Sequence, residues 1–145
     1  MRNKSKGFTL IELVVVIAVL GILAVVAVPR FINITVEART AVLNGLAGSI
    51  RTAVSLVQTK YKVAGLSGAA TVNMDDGTTV SALAGGLPSG AAGGIDSAIN
   101  YNVGSSGLAF TAGSATAAAT FGFNSTCQVS YAPTTGIATV ATGGC

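Results

Sequence analysis

The sequence predicts an α+β chain, in which one long N-terminal α-helix packs through its second half on a small antiparallel β-sheet domain. Three observations predict it. The 21 residues from Phe8 to Val28 include only two polar side chains, Thr9 and Glu12. From Arg30 to about Lys62 the apolar residues recur at helical spacing on one side. Beyond Gly65 the chain is rich in Gly, Ala, Ser and Thr, with short β-prone segments between turn residues. The expected divisions are a basic leader at 1–7, an apolar helix at 8–29, its amphipathic continuation at 30–63 and a β domain at 64–145.

As a helix, residues 8–28 would rise about 32 Å, enough to cross the hydrocarbon core of a bilayer. Glu12 is out of place there, because a carboxylate in a spanning helix costs roughly 3 kcal/mol or more, depending on depth. It reads as a functional residue waiting for a cation. Just upstream, Arg2, Lys4 and Lys6 lead into Gly7. A secretory signal peptide has its small-residue cleavage site after the apolar region. Here the small residue comes first, so a cut after Gly7 would leave the apolar segment on the mature chain. It would also create a free amine on Phe8, four residues from Glu12. An ordinary signal anchor with a stray glutamate is the plain alternative. The basic leader places the N-terminus in the cytoplasm and the rest of the chain outside.

Pro29 removes a helix hydrogen bond and presses on the carbonyl of Val25, so a kink is expected there. Gly21 is a second weak point. Past Arg30, Val42, Leu46, Ile50, Val54, Val57 and Tyr61 form one apolar stripe, with Leu43 and Ala47 beside them. Gly65 and Gly68 end the helix, which would run about 80 Å from its start near Phe8.

In the remainder, Thr71–Met74 and Thr78–Val80 flank Asp75-Asp76-Gly77 and read as a hairpin or sharp turn. Leu83–Gly94 is loop-like, and Ile95–Ile99 suits a helical turn. Leu108–Thr111, Ala117–Phe123, Cys127–Tyr131 and Ile137–Thr142 are expected strands, the last two joined by a turn at Pro133-Thr134-Thr135-Gly136. Cys127 and Cys145 both fall on the outer, oxidising side and are expected to pair. A metal half-site has no His and no nearby carboxylate to complete it.

Composition excludes several functions. Three of the eight basic residues lie in the leader, which leaves five against five acidic residues, so the mature chain gives no support for nucleic-acid binding. No His is present, and no nucleophile–base pair or paired carboxylates are visible, so no catalytic residue, metal or cofactor is expected. Asp75-Asp76-Gly77 could contribute to a calcium site but lacks EF-hand spacing, and it also reads as a solvated turn.

Gly7 followed by Phe8-Thr9-Leu10-Ile11-Glu12 resembles the leader junction of type IV pilins and their pseudopilin relatives. The resemblance implies a pilin fold, cleavage after Gly7 by a prepilin peptidase and methylation of Phe8 to N-methylphenylalanine. It implies that Thr9 and Glu12 serve assembly and register, with Glu12 pairing with the Phe8 amine of a neighbouring subunit. It implies that the helix between Gly21 and Pro29 partly unwinds in filaments. Cys127-Gln128-Val129-Ser130-Tyr131, the closing Gly143-Gly144-Cys145 and Leu43-Asn44-Gly45-Leu46 are similar to pilins of the mannose-sensitive haemagglutinin type.

The expected function is therefore the major structural subunit of a type IV pilus serving surface attachment. Its expected partners are other copies of itself, the prepilin peptidase and methylase, the assembly machinery and the lipids of the inner membrane. It would sit in that membrane first and in an extracellular filament afterwards. A pseudopilin or minor pilin of a secretion or DNA-uptake machine is the first alternative. A membrane-anchored binding domain that never polymerises is the second.

Overall fold

The computed structural model describes residues 8–99, 101 and 107–145, without the side chains of residues 28–33. The expected leader and its Gly7 junction lie outside the described residues. Helix α1, Leu10–Val63, is assigned without interruption through Gly21 and Pro29. The chain separates into two compact units, Met1–Glu37 and Ala38–Cys145, with the division inside α1.

The first unit is the apolar start of α1, and residues 10–26 are exposed throughout. The second unit holds the last part of α1 and two antiparallel sheets. The hairpin β1 (Ala70–Asn73) and β2 (Thr79–Ala82) forms one sheet. The other runs in the order β3 (Ala109–Thr111), β4 (Ala119–Asn124), β5 (Cys127–Ala132), β6 (Ile137–Ala141). A single helical turn, α2 (Ile95–Ala98), lies between the two sheets in sequence. All the segments expected to be β-prone become strands, with ends shifted by a residue or two.

The apolar stripe of α1 supplies one wall of the core. Leu43, Leu46, Ala47, Ile50, Ala53 and Val54 pack in one cluster with Ile95, Phe121, Val129 and Tyr131. Val57 and Tyr61 continue the stripe into a second cluster with Val72 and Val80 of the hairpin. Val42, expected in the stripe, is instead exposed, because it lies about 80° round the helix from Ile50 while Leu43 lies close to that line.

The helix ends where glycine predicts. Gly65 adopts φ 64°, its amide donates to the Lys62 carbonyl at 3.1 Å, and the Leu66 amide donates to the Tyr61 carbonyl at 3.1 Å. This pair of bonds is a Schellman stop. Gly86 is required for a different reason. Its φ is 82° and an added Cβ would sit 2.8 Å from the Tyr61 side chain. Tyr131 anchors the sheet to the long loop, its buried hydroxyl donating to the Pro88 carbonyl at 2.8 Å. Burial pushes that hydroxyl's pKa well up, so it stays neutral.

The β1–β2 turn is closed by Gly77 at φ 84° and by Asp76. The Asp76 carboxylate accepts the Thr78 hydroxyl at 2.6 Å and the Thr78 amide at 2.9 Å. These bonds, the hydroxyl first, hold its pKa below the ordinary value of 3.8. A lowered folded-state pKa contributes stability above the ordinary value, and that contribution is lost as pH falls through the lowered one. The Thr78 amide resonance is therefore expected to titrate with a midpoint below 3.8 and to lose that step in Asp76→Ala. A midpoint at or above 3.8 would remove the hydrogen-bonded role of Asp76.

Candidate functional site

α1 begins with a reciprocal cap. The Glu12 amide donates to the Thr9 hydroxyl at 3.3 Å, while the Thr9 amide and hydroxyl donate to Oε2 of Glu12 at 2.9 and 2.7 Å. This is a capping box, with Thr9 as the N-cap and Glu12 at the third helical position. Thr9-Leu10-Ile11-Glu12 carries its signature, a Thr three residues before a Glu ahead of an apolar run. Sequence reasoning linked the two residues to assembly and missed this local bond between them.

Among the described residues, Oε1 of Glu12 accepts no hydrogen bond. The carboxylate thus combines one oxygen held against its own helix start with one still available. It borders a shallow recess of about 340 Å³ lined by Phe8, Ile11, Val15 and Val16. Downstream, Leu10–Ala27 is long and apolar enough to cross a membrane, and none of it is buried within the protein. A helix apolar on every side needs lipid or other helices around it.

The other expected feature, the Cys127–Cys145 disulfide, is formed, with Cα atoms 4.8 Å apart and Cys127 fully buried at the start of β5. Side chains from elsewhere hold the same corner. Arg39 donates to the main-chain oxygen of Cys145 at 3.0 Å and lies 5.2 Å from the centre of the Phe123 ring. The Asn124 amide donates to the Gly144 carbonyl at 3.0 Å. Asp75 and Asp76 are engaged locally, Asp75 in an exposed ion pair with Lys60 and Asp76 in its turn. Among the described residues no group of three or more possible metal ligands comes together.

Comparison with known proteins adds to this geometry. Residues 2–28 match the family model described as the prokaryotic N-terminal methylation motif. The type IV narrow pilus major component PilA5 of Thermus thermophilus is 42% identical over 59 residues, covering 41% of this chain and 51% of the relative. A type IV major fimbrial protein FimA of Dichelobacter nodosus is 38% identical over 65 residues, covering 45% of this chain and 42% of the relative. The type IV major alpha-pilin of Moraxella bovis is 44% identical over 52 residues, covering 36% of this chain and 33% of the relative. The matched stretch spans about half the length, or less, of these curated relatives. Their names describe structural fimbrial proteins rather than enzymes. No solved structure matches the chain. Residues 2–28 thus carry the methylation motif, and the N-terminal part of this chain is similar in sequence to these type IV pilins.

Proposed function

We propose that this chain is the structural subunit, the major pilin, of a type IV pilus of the mannose-sensitive haemagglutinin kind, serving attachment to surfaces. The observation that carries the reading is the apolar start of α1, Leu10–Ala27, none of which is buried among the described residues. Before assembly, inner-membrane lipid surrounds it. Once it leaves the membrane, only the same segment of other copies can bury it. Stacking of such helices is a heterologous, head-to-tail contact that extends into an open filament.

Register in that stack rests on Glu12. A prepilin peptidase cuts after Gly7, and the new Phe8 amine, then methylated, meets Glu12 of a neighbouring subunit. A subunit one step out of register would bury an unpaired charge, at a cost of several kcal/mol. Gly21 and Pro29 are the places where α1 yields when subunits pack. The subtype rests on the Cys127-to-Cys145 closing pattern and on Leu43-Asn44-Gly45-Leu46.

The test is the intact mass and N-terminal sequence of protein sheared from the cell surface. The expected chain begins at methylated Phe8, is two hydrogens lighter for the disulfide and is abundant in long filaments. The same processed chain confined to membranes would instead identify a pseudopilin or minor pilin. A chain still beginning near Met1 would overturn the reading.

A further inference from the structure

The capping box has a second consequence, which follows from where it stops the helix. Phe8 and Thr9 lie ahead of α1 and are not helical. The Leu13 amide donates to the Thr9 carbonyl at 3.3 Å, which closes the first turn. In a helix that continued further back, the Thr9 amide would donate to the carbonyl of residue 5, four places earlier. Here that donor is taken by Oε2 of Glu12 at 2.9 Å, and the Thr9 hydroxyl accepts the Glu12 amide at 3.3 Å. The two bonds fix the start of α1 at one residue.

The sequence offers rival starts. Ser5 and Gly7 are both residue types that cap helices. With either as the cap, α1 would begin four or two residues earlier, and the Gly7 carbonyl would accept the Ile11 amide. That carbonyl belongs to the bond that the leader reading has cut. Cleavage adds water across Gly7–Phe8 and leaves a Gly7 carboxylate and a Phe8 amine. A peptidase must polarise this carbonyl with donors of its own, and a carbonyl already bonded inside a helix is withheld from them. A helix stopped at Thr9 leaves the carbonyl free.

We propose that Thr9 and Glu12 are positioning residues for leader cleavage, their capping box holding the Gly7–Phe8 bond ahead of the helix and open to the prepilin peptidase. The inference rests on the processing proposed above and gives the two residues a task that precedes assembly. Either half of the box still stops the helix, so loss of both halves is what slows the cut.

The test follows the full chain in cells by pulse labelling, with the product identified by mass and N-terminal sequence. Thr9→Ala with Glu12→Ala removes both halves and puts the strongest helix former at each place. The half-life of the uncut chain is expected to lengthen about tenfold. Glu12→Gln, which keeps the box, is expected to be cut at the wild-type rate. Adding Leu10→Pro to the double variant is expected to restore that rate. Proline suits the first helical position and drives the residue before it out of helical conformation. It could not restore a side-chain contact with the peptidase, so the rescue isolates helix placement. Leu10→Pro alone is expected to be cut normally. Should it slow cleavage by itself, backbone chemical shifts of the uncut chain in detergent decide, with helix from Leu10 in the wild type and through Gly7 in the double variant. A double variant cut at the wild-type rate, one left unrescued by a harmless Leu10→Pro, or one whose helix still begins at Leu10 would each overturn the proposal. A wild-type chain never cut after Gly7 would instead overturn the processing on which it rests.

Discussion

Glu12→Ala is expected to leave cells without filaments while the chain, still cut after Gly7, accumulates in the membrane. Two roles of Glu12 predict different sizes of effect. At the third helical position of a capping box it satisfies the Thr9 amide and so supports one helix end. That loss is small for a helix already held by lipid or by packed neighbours. As the partner of a buried amine it decides whether a subunit carries an uncompensated charge into the filament, a matter of several kcal/mol per subunit. Glu12→Gln separates the roles, since Gln also satisfies the box geometry but carries no charge. Thr9→Val does the converse, removing the hydroxyl that Glu12 contacts at 2.7 Å and keeping the charge. The expected pattern is filaments in Thr9→Val and none in Glu12→Ala or Glu12→Gln, scored by electron microscopy of sheared fractions. Filaments in Glu12→Gln would reduce the residue to a cap and end the register argument.

Much of this molecule was legible because its signals are local. The length of α1 follows from an uninterrupted apolar run, a helical stripe and the glycine at 65. The hairpin turn follows from Asp75-Asp76-Gly77, and the β5–β6 connection from Pro133 to Gly136. Thr9 and Glu12 could be singled out for the same reason, since they lie three residues apart at the head of the apolar run, though the bond between them was not read. Contacts between distant segments left no such trace. Nothing in the neighbourhood of Arg51 says that it reaches the Ala138 carbonyl at 3.2 Å, or that Arg39 reaches Cys145. The bulge after Gly122 is equally silent, because it arises from the register of two strands rather than from either strand alone. Val42 was misassigned because the stripe was drawn too wide: it lies about 80° round the helix from Ile50, beyond the face that packs on the sheet.

The second large effect is expected from Cys127→Ala with Cys145→Ser, which should lower stability by about 3 kcal/mol and the melting temperature by about 10–20 °C. Alanine is the right replacement at 127, since that side chain is fully buried and a serine hydroxyl there would be stranded. The bridge joins residues 18 apart, so most of its effect in the chain-entropy model comes from restricting the unfolded chain. The folded corner retains other ties: Arg39 and Asn124 on the last two carbonyls, and the Gly144 amide on the Thr126 carbonyl at 3.3 Å. Those bonds net about 1 kcal/mol each, and they keep the native structure recognisable without the disulfide. Hydrogen exchange on the full chain in detergent should therefore show the β5–β6 amides opening at lower energy. The β1–β2 amides, backed by the separate cluster around Val57 and Tyr61, should change less. Equal melting temperatures for the oxidised chain and the double variant would mean that these non-covalent ties alone hold the corner.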